Sequence, residues 1–180
     1  MPHLALYTFG VLQSPVADPA RLTREFNESG DAVYREIGQH PGYIARAEAA
    51  DRSRGMFDSD WGDWGEFAVP AWYEKGRTVE TTALAATLSL WTDLGSAFDS
   101  IYTGLHRVAL NRRYDWFEKT GHPNYVFWWV TDGAIPTWQD GVTRLEHLRD
   151  HGYAPHAFTF HHSFDPAGTP TRLKGIGPKG

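Results

Sequence analysis

The sequence predicts a single α+β domain: a ferredoxin-like antiparallel sheet with helices on one face. Short segments with two-residue apolar alternation lie at 3–11, 43–47, 78–91, 125–130 and 156–160. Segments with three- and four-residue apolar spacing lie at 20–38, 94–117 and 138–151. Their order is strand, helix, strand, loop, strand, helix, strand, helix, strand, which places two βαβ-like halves on one antiparallel sheet.

In the first strand, Leu4, Leu6 and Thr8 alternate with Ala5, Tyr7 and Phe9, so both of its faces should be covered, with Gly10 marking a bulge. Pro15 and Pro19 set a loop before a helix over 20–38, with Leu22, Phe26, Val33, Tyr34 and Ile37 inward, Asp18 as cap and Asn27 to Gly30 as a potential interruption. His40-Pro41-Gly42 is a turn, and Tyr43 to Ala47 a short strand. Residues 51–77 follow neither period and read as a long inserted loop, of the kind that serves as a lid or binding loop; Trp61, Trp64 and Trp72 would be costly to leave in water. Asp58, Asp60, Asp63 and Glu66 do not have the spacing of a calcium loop.

In the strand over 78–91, Leu84, Leu88 and Leu90 are expected to face the helices, while Ala83, Ala85, Thr87 and Ser89 leave room for a cavity if a second sheet closes that side. Thr92 or Asp93 caps a helix expected to run unbroken to Phe117, its stripe formed by Leu94, Ala97, Phe98, Ile101, Leu105, Val108 and Ala109. Tyr125 to Val130 carries rings on both sides, the mark of a strand buried on both faces. Thr137 caps a last helix with Val142, Leu145 and Leu148 inward, which Gly152 ends, and His156 to Phe160 is a final strand. The domain therefore spans 1–162, and 163–180, rich in Gly, Pro, Lys and Thr, is expected to be a mobile tail.

At 180 residues, 41% hydrophobic and 22% charged, the chain is long enough for one well-filled core. A net charge of −5 without a basic face argues against nucleic-acid binding. Zero cysteines exclude disulfides, thiolate metal sites and a cysteine nucleophile. No apolar stretch approaches the roughly 18 residues of a membrane span, and the start lacks a basic, then apolar leader, so a cytoplasmic, membrane-free protein is expected. The 8 Trp, 8 Tyr and 10 Phe suit a heavy core, a subunit interface or a pocket for a planar apolar ligand.

Tyr102, His106 and Arg113, four and seven residues apart, fall on one flank of the central helix and bring a phenol, an imidazole and a guanidinium to one wall. His106 is the expected base, Tyr102 or Arg113 the group that stabilises an oxyanion, and Tyr7, Trp91, Trp116, Trp129, Phe160 and Trp64 the rings that contact a substrate. The plainer reading makes His106 a border histidine satisfied by Tyr102 or Asp99, and the rings core. His147 and His151 share a helix face but lack the glutamate of zinc proteases, so a solvated face is expected; no metal is assigned. His161 and His162 point to opposite strand faces, whereas His156 and His162 share one with Phe158 and Phe160. Neither a Gly-rich phosphate loop nor a Gly-x-Ser-x-Gly elbow occurs.

Leu88-Ser89-Leu90-Trp91, the Tyr102-x-x-x-His106 helix, Arg112 to Phe117, Phe127-Trp128-Trp129-Val130, Ile135-Pro136-Thr137, Arg144-Leu145 and Ala157 to Phe160 together resemble the family called domain of unknown function 3291, over nearly the whole chain. The 51–77 segment looks longer than in the usual member. That family looks like part of the dimeric α+β barrel superfamily, in which two ferredoxin-like sheets pair across a dyad around a ligand cavity. The resemblance implies a homodimer and allows several chemistries, from cofactor-independent monooxygenases to haem enzymes and cyclases. The expected function is an enzyme that modifies an aromatic or polycyclic hydrophobic small molecule without a cofactor, by oxygenation or acid–base cyclisation or rearrangement, with His106 as base. The alternatives are a haem enzyme with His106 as axial ligand, as in some relatives with a histidine on the corresponding helix, and a non-catalytic small-molecule-binding dimer.

Overall fold

The computed structural model describes residues 1–51, 55–73 and 83–173. Strands β1 (His3–Val11), β2 (Tyr43–Arg46), β3 (Leu84–Trp91) and β4 (Tyr125–Val130) form one antiparallel sheet in the order β2-β3-β1-β4. β1 is central: Leu4 lies opposite both Trp91 and Trp129, and Tyr7 opposite Leu88 and Val126. The expected strand segment 78–82 lies outside the described residues, as do 52–54 and 74–77 of the inserted loop. Gly10 makes no bulge, since its register with Ala85 is continuous; the irregularity falls in β2 between Tyr43 and Ala45. What Gly10 provides is space, because a Cβ there would stand 2.5 Å from the Phe117 ring.

The crossover helices α1 (Arg21–Ile37), α3 (Leu94–Tyr102), α4 (Gly104–Asn111) and α5 (Arg113–Trp116) form one layer. Leu94 and Ala97 of α3 pack with Leu4, Leu6, Trp91 and Phe127 on one sheet face, and Ile37 of α1 joins them. The helix α6 (Trp138–His151) lies on the other face, where Trp138, Val142 and Leu145 meet Ala5, Tyr7, Val126 and Trp128. The leucines of β3 therefore lie under α6, and the small side holding Thr87 and Ser89 faces α3. On that side the Thr8 and Thr87 hydroxyls are hydrogen-bonded at 2.7 Å.

Residues 55–73 complete the α6 layer rather than standing off as an open loop. The short helix α2 (Gly55–Asp58) and a single turn at Gly62–Trp64 bring Phe57, Trp61 and Phe67 onto Trp138, at ring separations of 4.9 Å for both Trp61 and Phe67. The Ala71 N–H donates to Glu146 of α6 at 2.6 Å, and Trp72 is held between the His122 ring and the Arg149 guanidinium. These contacts partly cover Trp61 and Trp72, whose full exposure would be costly.

Side-chain caps mark the starts of α3 and α6. Asp93 accepts the Ser96 N–H at 2.9 Å, and Thr137 forms a reciprocal capping box with Asp140. Asp18 accepts the Ala20 N–H at 2.8 Å, ahead of α1, whose N-cap Ala20 has no side-chain bond. α1 runs through 27–30 without interruption, and Leu22 is 41% exposed rather than inward. The expected single helix to Phe117 breaks instead at extended Thr103 and at Gly104, whose φ is +51°. The expected last strand reduces to a paired contact of Phe158 with Phe127, joined by N–H···O bonds of 2.8 and 3.0 Å. Beyond it, β5 (Ser163–Phe164) and β6 (Pro170–Thr171) pair, and Phe164 packs on Phe158, so residues 163–173 are ordered against the domain; 174–180 lie outside the described residues.

Gly141 is the point at which α6 reaches the sheet: a Cβ there would stand 2.5 Å from the Tyr7 ring. Gly141→Ala is expected to lower stability by about 1–3 kcal/mol, because Tyr7 is enclosed and cannot yield, and urea unfolding followed by tryptophan fluorescence measures it. A variant as stable as the wild type would mean that α6 docks less tightly than this.

Candidate active site around His106

Once α3 ends, the backbone N–H of Leu105 has no helical acceptor. The Glu36 carboxylate, at the end of α1, takes it at 2.7 Å and so fastens α4 to α1. The same carboxylate abuts Gly104, where any side chain would collide with it. A residue 68 positions upstream of Gly104 thereby fixes where α4 begins, and His106 follows one residue after the fastened N–H.

His106 turns inward while its α4 neighbours Leu105 and Val108, expected to be buried, are 46% and 58% exposed. The helix break rotates the predicted stripe out of register, and the imidazole takes the inward place. Its Nδ1 is enclosed and has no hydrogen-bond partner among the described residues, so neither Tyr102 nor Asp99 satisfies it. The ring keeps partial exposure, which leaves Nε2 as the nitrogen that reaches the surface. Burial holds the pKa of His106 below its ordinary value, and the nearby Glu36 charge opposes that shift without cancelling it. At neutral pH the ring is uncharged, with a carboxylate at hand to stabilise the imidazolium.

Four residues before His106, across the break at Thr103 and Gly104, Tyr102 closes α3 beside an aromatic cluster. Its ring lies 4.6 Å from Phe98 and 5.7 Å from Phe160, and Phe160 lies 5.8 Å from Tyr125. Partial burial raises the Tyr102 pKa despite the opposing Arg113 charge, so its hydroxyl stays a donor. Arg113 itself donates to the Leu110 carbonyl at 2.8 Å and lies over Tyr114.

The remaining candidates separate. Trp91 and Trp129 belong to the same buried cluster as Phe160, with their ring N–H groups donating to Ser89 Oγ at 3.0 Å and to the Phe164 carbonyl at 2.7 Å. Trp116 is buried with Leu12 and against Phe26 in a third cluster, on α5. Tyr7 and Trp64 lie on the far side of the sheet in the α6 layer, so they share no wall with His106. Sequence reasoning missed Glu36 and Tyr125: spacing along a helix cannot report a carboxylate brought from α1, and Tyr125 reads as one more ring in a buried strand.

Fold and site together define an α+β domain with an uncharged, largely enclosed histidine on α4 near the Glu36 carboxylate. The chain belongs to the family described as Domain of unknown function (DUF3291), which it matches over residues 3–174. No curated protein matches it. Among solved structures, a protein of unknown function from Nitrosomonas europaea is similar at a TM-score of 0.43 and 9% identity, over 76% of this chain and 96% of that one. Among the described residues, no helix is long and apolar enough to cross a membrane.

The depressed His106 pKa has a definite sign for stability. Below the ordinary value of 6.5 the unfolded chain takes up the proton first, so stability should fall as pH drops from about 7 towards 5. Urea titrations across that range should show a shallower fall in His106→Gln than in the wild type, and equal slopes would mean that the ring is not buried as described. In Glu36→Gln, which keeps an acceptor for Leu105, the His106 pKa read by NMR should drop further.

Proposed function

We propose that the chain is an enzyme that acts by acid–base chemistry on an aromatic or polycyclic hydrophobic small molecule, with His106 as its base. The observation that carries this reading is the uncharged His106 ring, its Nδ1 buried and without a partner among the described residues, with the Glu36 charge nearby and a half-exposed tyrosine four residues before it. Tyr7, Trp116, Trp138 and Arg144 also bury a polar atom without a partner among the described residues, so it is the combination at His106 with a depressed pKa and a nearby carboxylate that supports the reading.

In this reading Nε2 removes a proton from an acidic phenol or enolisable carbon, and Glu36 stabilises the imidazolium formed. Tyr102, protonated at neutral pH, donates to the oxygen on which charge develops, and Arg113 adds positive potential near it. Phe98 and Tyr125, partly exposed over buried Phe160, supply the surface for the substrate rings. The resulting carbanion attacks an electrophile within the same molecule, giving cyclisation or rearrangement, or passes an electron to dioxygen, which is then the required oxidant. Trp91, Trp116 and Trp129 act as supporting core in this scheme, and Tyr7 and Trp64 take no part.

Haem with His106 as axial ligand is the second reading, since an uncharged imidazole is what iron ligation needs. Two clefts of about 390 and 410 Å³ are lined by Asp31, Tyr34, Arg35 and Arg46 and by Ala68, Val69, Ala71 and Tyr73 with α6; neither includes His106, so both readings require the ligand to reach the ring from its exposed edge. Placement in the dimeric α+β barrel superfamily, with pairing into a homodimer, is part of the same proposal; a partner sheet approaching the α6 face would meet α6 and residues 55–73 rather than bare strands. Light scattering should then give twice the 20.3 kDa chain mass.

Polycyclic phenols and enolisable aromatic ketones, followed by absorbance and with an oxygen electrode, should include a compound that the wild type converts. His106→Gln should slow that conversion by about 10²–10⁴-fold with the fold intact. Conversion that survives His106→Gln unchanged would sink the reading, and a saturable Soret band with haemin, lost in His106→Ala, would replace it by the haem one.

A further inference from the structure

On the sheet face away from His106, residues 68–73 run beside α6 and leave a cleft of about 410 Å³ between the two. Ala68, Val69, Ala71 and Tyr73 form one wall. Gln139, Val142 and Glu146 form the other, and their spacing of three and four residues places them along one face of α6. The volume suits a small organic molecule.

Both walls are held in place. Glu146 Oε1 accepts the Ala71 N–H at 2.6 Å and joins one wall to the other. Trp72 is held by the His122 ring and the Arg149 guanidinium. The Tyr73 ring packs edge-on to Phe9 at 5.5 Å, and its hydroxyl accepts the Ala83 N–H at 3.4 Å. Val69, Tyr73 and Val142 are each 4% exposed and belong to the core cluster, so the apolar part of the lining is fixed by the packing of the domain.

The polar side chains of the lining offer acceptors. With Glu146 Oε1 taken by Ala71, Oε2 has no partner among the described residues. Gln139 Nε2 donates to the Thr143 hydroxyl at 3.3 Å, which leaves the Gln139 side-chain oxygen as an acceptor. Glu146 is the one charged side chain among the described residues that line the cleft. Arg149 lies within reach of that charge, but Asp150 takes its guanidinium at 2.5 and 2.8 Å and Trp72 lies beneath it, so it is committed elsewhere. A carboxylate with a free oxygen beside Val69, Val142 and Tyr73 selects a ligand with a positively charged donor on an apolar body, whereas an anion is repelled there. An ammonium group supplies that donor, with three N–H groups and no acceptor.

We propose that this cleft binds a small organic cation, a primary ammonium on a short aromatic body, with Glu146 taking the ammonium and Val69, Val142 and Tyr73 covering the ring. The site is independent of His106 and of the reaction proposed there.

Calorimetric titration of the full chain with phenethylammonium chloride near neutral pH tests it. One saturable site is expected, and none with phenylacetate, which carries the same ring and the opposite charge. Glu146→Gln keeps an acceptor for the Ala71 N–H and removes the charge, and should weaken binding by about tenfold or more. Ala71→Phe, at an exposed position, places a ring in the cleft and should weaken binding with Glu146 unchanged. His106→Gln should bind as the wild type does, whatever becomes of the chemistry proposed for that residue. Far-UV circular dichroism checks that each variant is folded, and Ala71→Phe carries the test should Glu146→Gln misfold. Absence of saturable binding by the wild type would overturn the proposal, as would wild-type affinity in either cleft variant or equal binding of phenylacetate. Loss of binding in folded His106→Gln would also overturn it, by moving the ligand to the other face of the sheet.

Discussion

β1 buries Leu4, Ala5, Leu6 and Tyr7 in succession, with their side chains on alternating faces, while hydrogen-bonding to β3 on one side and β4 on the other. A central strand apolar on both faces cannot face water on either, so each sheet face must be covered, and full burial of each such large side chain is worth about 1.5–3 kcal/mol. The crossover helices α1 and α3 cover one face. The other needs a second layer, which α6 supplies together with residues 55–73, stitched through Trp61, Phe67 and Trp138. The inserted segment is thus an integral part of the core.

Covering both faces divides the molecule by role. On the α6 side Tyr7, Trp128 and Trp138 are nearly or wholly buried, and Gly141 lets the helix backbone approach the Tyr7 ring. The Tyr7 hydroxyl lies too deep to ionise in the ordinary range, because burial raises its pKa and the Glu146 charge raises it further. On the other side the layer is looser at the α3–α4 junction. Leu105 and Val108 lie open there, and Tyr102, at the end of α3, stands edge-on to Phe160.

That junction is a local departure from what packing alone would favour. A continuous helix over 94–117 would have laid one apolar stripe on the sheet, satisfied its own N–H groups and kept His106 at its border. Gly104 makes the alternative cheap, since positive φ carries little cost at glycine, and Glu36 makes it definite by taking the Leu105 N–H. At this junction the His106 Nδ1 has no partner among the described residues, and an unpaired buried polar atom costs about 1–3 kcal/mol.

Periodicity by itself determined the α+β class and the four strands of the main sheet, and local residue types the capped starts at Asp93 and Thr137 and the end of α6 at Gly152, because each depends on residues a few positions apart. It also singled out His106 and Tyr102, neighbours along one stretch of chain. Only the tertiary structure decided that Glu36 reaches α4, that His156 joins His147 and His151, that Tyr7 and Trp64 stand on the face away from His106, and that residues 55–73 form part of the core. Each of these joins parts of the chain that no local pattern links, or depends on which face of the sheet a layer covers. A strand with rings on both sides gives the same alternation whichever layer lies above it, and that choice fell to the packing of whole elements.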